Sequence, residues 1–172
     1  LYVPAAAVRK IQNEKHLEMV IHEMWCVANL RIKDIKIKGD SAAVSFHQPE
    51  SHIHFMHPWP SPMVTTDGHN SAFYITNSKA LLDTPGEWFL DAKEQKVYYM
   101  PRKGEDMAKA DVEAPAVETL MRVEGTPDNM VEGVTFEGVT FSYATWMRPS
   151  ICGHAPLQAG MYMTEAYKLR PK

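Results

Sequence analysis

The chain has 172 residues, 45% of them hydrophobic and 23% charged, with a formal net charge of −3. That balance describes one globular domain, or a domain with an attached fragment. It offers no basic footprint for nucleic acid, and no apolar run reaches the ~18 residues that a membrane-spanning helix needs.

Cys26 and Cys152 stand far apart, which gives neither a disulfide framework nor a zinc spacing; they read as buried free thiols. No signal-peptide pattern is visible. Leu1 at the start and Leu169-Arg170-Pro171-Lys172 at the end read as cuts in a longer polypeptide.

In chain order, Pro4–Gln12 predicts a short helix, with Pro4 at its first position. Leu17–Met24 predicts a strand, Leu17, Met19 and Ile21 on one face and Glu18, Val20 and His22 on the other. Leu30–Lys38 alternates as well, but its phase slips at Lys33-Asp34, where a bulge fits. Gly39-Asp40 turns the chain and Ala43–His47 returns it, which makes a hairpin. Residues 48–70 hold Pro49, Pro58, Pro60 and Pro62 and half of the eight histidines, and predict a long surface loop. Ala72–Ile75 predicts a strand, and Asn77 or Ser78 caps a single helical turn through Leu82.

Leu81–Pro101 reads as a second hairpin. Pro85-Gly86 gives the leading turn, Glu87–Asp91 and Val97–Met100 the strands, and Ala92–Lys96 the loop. Trp88, Phe89, Leu90, Tyr98 and Tyr99 form the densest aromatic cluster in the chain. The expected core lies around this hairpin, with Trp88 and Tyr99 buried and Trp25 a further core residue. Glu118–Glu124 predicts another strand and Gly125–Asn129 a turn. Glu132-Gly133-Val134-Thr135-Phe136 is then repeated at once as Glu137-Gly138-Val139-Thr140-Phe141. Short strands joined by glycine bends describe one coil of a parallel β-helix, although a plain hairpin can carry the same letters.

Chemistry-bearing residues are sparse. No Ser-His-Asp arrangement, phosphate loop or dinucleotide fingerprint is present, and no cofactor is expected. His47, His52, His54 and His57 invite a metal, but no carboxylate or cysteine completes a spacing, so none is expected. Glu87 with Asp91, and Glu132 with Glu137, read as solvated turn charges rather than a catalytic pair. Trp59, Tyr143 and Trp146 are aromatic rings able to stack on sugars, Trp146 foremost because it follows the repeat in an irregular segment. Arg148, His154 and Gln158 can hydrogen-bond sugar hydroxyls beside it.

Leu81-Leu82-Asp83-x-Pro85-Gly86-Glu87-Trp88-Phe89-Leu90-Asp91 with Val97-Tyr98-Tyr99-x-Pro101 resembles a segment of large secreted right-handed parallel β-helix proteins. These are bacterial carbohydrate-active enzymes, including glycoside hydrolases that act on plant pectins. The likeness continues through Ala114-Pro115, Leu120, Val123–Thr126, Val134–Phe141, Trp146, Pro149-Ser150 and Gln158–Gly160. It implies a mainly β chain: a small antiparallel β module over residues 1–130, then the beginning of a right-handed parallel β-helix over 131–172. It implies a secreted or periplasmic parent that hydrolyses a complex polysaccharide. This chain would supply scaffold and one wall of the substrate cleft, with Trp146, Arg148, His154 and Gln158 on the polysaccharide or oligosaccharide. Such enzymes stack many coils, so the catalytic carboxylates are expected outside this chain, which alone is expected to be inactive. A single open coil is expected to self-associate. A non-catalytic carbohydrate-binding module and a structural or interaction domain are the alternatives.

Overall fold

The computed structural model describes residues 1–24, 26–56, 61–63 and 68–155. The chain forms two compact units, Leu1–Met107 with Arg148–Lys172, and Ala108–Met147.

The first unit is built on a five-stranded antiparallel sheet in the order β1-β4-β3-β2-β5, where β1 is Tyr2–Pro4, β2 Glu18–Glu23, β3 Cys26–Lys38, β4 Ser41–Phe46 and β5 Phe73–Thr76. The alternation in β3 sets its register, Met19 facing Leu30 and Ile21 facing Ala28 across β2. The register against β4 shifts between Ile32 and Asp34, which is the bulge that the phase slip predicts. Gly39, at φ +60°, makes the turn into β4. Pro4 lies on an edge strand, where its missing N–H costs no ladder bond.

The core runs along one face of this sheet. Leu17, Met19, Ile21, Leu30, Val8 and Ile11 are each no more than 1% exposed. Burying a side chain of this kind contributes about 1.5–3 kcal/mol. Val8 and Ile11 come from the segment expected to be helical. It forms instead a three-residue 3₁₀ turn, Ala5–Ala7, followed by irregular turns. The opposite face of β2 is covered too, because Glu18 and Val20 are buried.

Residues 48–70 are not all loop. Glu50–Met56 forms α1, with Glu50 in its first turn, where a carboxylate suits the helix dipole. On a helix, a spacing of two separates His52 from His54; His52 is exposed and His54 is fully buried. Ser78 caps the 3₁₀ turn Lys79–Leu81 by accepting from the Ala80 amide at 3.0 Å.

The second hairpin is present as β6, Trp88–Asp91, paired with β7, Lys96–Tyr99, Trp88 opposite Tyr99. It is not the centre of the core. Trp88 is 67% exposed, Leu90 50% and Val97 58%, and Tyr99 is half-buried. The core belongs to the five-stranded sheet, whose buried residues are mostly aliphatic, with Phe46 among them. Trp25 lies outside the described residues.

In the unit Ala108–Met147, Glu118–Glu124 and the two Val-Thr-Phe runs do not pair as strands. The repeat nevertheless has repeated geometry. Gly133 and Gly138 have φ +67° and +68°, and each begins a bend before its Val-Thr-Phe run. Phe136 and Phe141, equivalent in the two copies, meet edge to face at 5.9 Å. The expected turn forms, with Thr126 bridged to Asn129.

Candidate functional site

The polar groups of the first unit converge on the end of the sheet where β3 has a free edge beyond its pairing with β4. Arg31 sits between Leu30 and Ile32, and its guanidinium forks onto Glu50 at the start of α1. Its Nε donates to Oε1 at 2.7 Å and its Nη2 to Oε2 at 3.1 Å. Glu50 is fully buried, and its hydrogen bonds push the Arg31 guanidinium above its ordinary range. A buried carboxylate is tolerated only when it is paired in this way.

Arg31 also donates Nη1 to the Ile151 carbonyl at 2.6 Å, 120 residues away in sequence. Ile151 belongs to α2, Arg148–Cys152. The chain then extends so that Asn29 and His154 exchange two backbone hydrogen bonds, each 2.7 Å. Gly153 between them has φ +68°, and a Cβ there would lie 2.4 Å from Glu50 Cγ and 3.0 Å from the Asn29 carbonyl. Only glycine meets both demands. Ala155, 1% exposed, packs with Ile53 of α1. Residues 148–155 therefore clasp the sheet edge.

Two further carboxylates lie nearby. Glu18 accepts from Asn29 Nδ2 at 3.0 Å and from Asn77 Nδ2 at 2.9 Å. Glu23 Oε1 lies 2.7 Å from His54 Nε2, with both side chains fully buried. The Cys26 thiol donates to Glu23 Oε2 at 3.5 Å. Burial first, then the Glu23 charge, pushes that thiol up to about 12. His54 Nδ1 is buried without a hydrogen-bond partner among the described residues. These acids are enclosed and paired to side chains. That arrangement holds structure and offers no carboxylate to a glycosidic bond, which needs two acids facing the sugar. Among the described residues no group of three His, Cys, Asp or Glu is placed to hold a metal.

The residues expected to contact sugar fall as follows. Trp146 belongs to the unit Ala108–Met147 and is 48% exposed. Arg148 begins α2, is half-buried, and places Nη1 3.5 Å from Cys152 Sγ. His154 is half-buried; burial and then the charge of Arg148 hold its imidazole below the usual histidine range. The structure thus brings Arg148 and His154 together. Gln158, Trp59 and His57 lie outside the described residues. Glu87 and Asp91 shape turns: Glu87 Oε2 accepts from the Asp83 and Thr84 amides at 2.9 Å each, and Asp91 Oδ1 from the Lys93 and Glu94 amides at 3.0 Å each. Glu132 and Glu137 are exposed.

Sequence reasoning missed Arg31, Glu50, Asn29 and Gly153. Arg31 carried a signal, being a cation at an inward-flanked position of an alternating strand. Gly153 carried none, because its requirement comes from Glu50 and Asn29, both distant in sequence.

The unit Ala108–Met147 closes on itself where Glu118 Oε1 accepts from the Met147 amide at 2.7 Å and the Val117 carbonyl from the Thr145 amide at 3.0 Å. Leu120, Met121, Val123, Phe136, Phe141 and Ala144 line an open apolar depression within it.

A family model described as "GH141 insertion domain" matches residues 1–102. A solved structure named "Glycoside hydrolase" is similar to this chain at 59% identity and a TM-score of 0.88. The likeness covers 94% of this chain and 28% of that protein, so the chain spans well under a third of that protein's length. Comparison with curated proteins gives no match.

Proposed function

The chain belongs to the GH141 insertion domain family, and from that premise we propose that it is a scaffold segment of a larger secreted or periplasmic glycoside hydrolase. The observation that carries this reading is the 59% identity over 94% of the chain to a protein named glycoside hydrolase. In this reading the five-stranded sheet is the inserted module. The two Val-Thr-Phe runs from residue 131 onward begin a right-handed parallel β-helix, and their half-exposed Val134, Phe136, Val139 and Phe141 belong against neighbouring coils. The substrate is a complex polysaccharide, and the chain forms one wall of its cleft. Trp146 offers an exposed indole to a sugar ring, with Arg148, His154 and Gln158 as the polar groups of the same stretch.

The catalytic acids then lie in the remainder of the polypeptide, because the buried carboxylates of the sheet unit are engaged by Arg31, Asn29, Asn77 and His54. The test follows the release of reducing ends from pectic and other plant polysaccharides. The full-length polypeptide is expected to cleave, the 172-residue chain alone is not, and Trp146→Ala in the full-length polypeptide is expected to weaken substrate binding. Turnover by the chain alone, abolished by changing one Asp or Glu within it, overturns the scaffold reading. Sugar binding by the full-length polypeptide without cleavage makes it a carbohydrate-binding protein instead.

A further inference from the structure

The hairpin β6–β7 has two faces of unlike character. The pairs Trp88–Tyr99 and Leu90–Val97 share one face, and Phe89–Tyr98 lies on the other. The Phe89–Tyr98 face is covered from within its own unit. The two rings stack at 6.4 Å, and the Lys79 ammonium sits 3.5 Å above the Tyr98 ring. The other face is open at Trp88, Leu90 and Val97, which are 67%, 50% and 58% exposed, with Tyr99 half-buried beside them. A two-stranded hairpin is marginal in water unless a face is packed, and here no described residue of its own unit covers Trp88, Leu90 or Val97.

The edge of that face is polar and already satisfied. The Tyr99 hydroxyl donates to Glu105 Oε2 at 2.6 Å and accepts from Arg102 Nη1 at 3.1 Å. An apolar centre with a paired polar rim is the anatomy of a protein interface. A sugar platform differs, since it presents a flat ring with unengaged donors and acceptors beside it. The branched side chains of Leu90 and Val97 ridge this surface, and the rim groups bond to one another.

The occupant follows from length. The chain spans 28% of the glycoside hydrolase it resembles, and the family model ends just past this hairpin, at residue 102. We infer that the Trp88-Leu90-Val97 face is a docking surface for apolar side chains of the same polypeptide that lie outside residues 1–172. The inference rests on the reading of the chain as a segment of a larger enzyme, and it gives that enzyme a defined contact between module and body.

Tryptophan oxidation with N-bromosuccinimide, read out by peptide mass spectrometry, tests it. Trp88 is expected to react in this chain and to lose that reactivity in the full-length polypeptide. Reaction in both overturns the inference. Protection already present in this chain also overturns it, because the cover then comes from the chain itself or from a second copy. Reaction in the full-length polypeptide that is lost on adding an oligosaccharide overturns it in favour of a sugar site. As a second measurement, the pair Trp88→Ser and Leu90→Ser is expected to lower the melting temperature of the full-length polypeptide and leave that of the chain unchanged; equal shifts count against docking. Glycan cleavage is scored separately. Protection of Trp88 without cleavage keeps the docking surface and removes the hydrolase reading, and cleavage with Trp88 reactive does the reverse.

Discussion

In the sheet unit, Met19, Ile21, Ala28 and Leu30 are no more than 1% exposed. In the unit Ala108–Met147, Leu120, Val123, Val134, Phe136, Val139 and Phe141 are 41–56% exposed. The residue types are alike, and what differs is where each strand finds its neighbour. β2, β3 and β4 follow one another through short connections, so each pairs with the next and closes a core locally. In the unit Ala108–Met147 the runs after the bends at Gly133 and Gly138 pair with no strand among the described residues. Without a strand beside them, the apolar side chains of these runs stay about half exposed.

Breaking the clasp has the largest expected effect. Arg31→Ala leaves the Glu50 carboxylate buried and unpaired, which costs about 3–5 kcal/mol, and the loss appears in chemical denaturation of the sheet unit. Truncating the same residue type in both units sharpens the contrast. Leu30→Ala is expected to cost about 2–5 kcal/mol, whereas Leu120→Ala in this chain stays within about 0.5 kcal/mol. Similar denaturation midpoints for the two variants erase the distinction between a closed and an open unit.

Gly153→Ala is expected to destabilise by about 1–3 kcal/mol, through its positive φ and the approach of Glu50. Loss of protection at the Asn29 amide in hydrogen exchange is its specific signature.

The smallest effect is in pH dependence. The Cys26 thiol is raised from 9.0 to about 12 in the folded chain. The folded state therefore holds that proton more tightly than the unfolded state. Its contribution is complete below pH 9.0 and is lost as pH rises towards about 12. Cys26→Ala is expected to flatten that alkaline limb in denaturant titrations. His154 works at the other end. Its depressed value makes its contribution present above its ordinary 6.5 and lost as the solution becomes more acid.

The parts legible in the sequence are those whose cause is local. The slip at Lys33-Asp34 breaks a two-residue period, and a bulge is the only way to keep Ile32 and Ile35 on the core side. Ser78 announces its turn because its hydroxyl bonds two residues ahead. Trp88 misled for a physical reason. Aromatic density measures how much surface a segment can bury and says nothing of whether its cover lies in the same chain. The helix Glu50–Met56 was hidden because histidines and a preceding proline look like loop composition, while Ile53 and His54 acquire their burial from the clasp and from Glu23. Of the sugar-contact candidates, Arg148 and His154 were legible as polar residues near one another, but the contacts that pin them come from Cys152 and Asn29.

The clasp also dictates an order of assembly. Arg31 and the Ile151 carbonyl it holds are separated by 120 residues. At synthesis rates of about 5–20 residues per second, the hairpins of β2, β3 and β4 leave the ribosome on the order of ten seconds before the segment 148–155 that clasps them. Throughout that interval the Asn29 edge of β3 is an unpaired strand edge, the feature most prone to wrong pairing. Arg31 and Glu50 are both already made, and their ion pair can form at once, so the carboxylate does not wait uncompensated. The nascent module is thus electrostatically complete early and topologically complete late. Its window of vulnerability is set by the translation time of the residues in between.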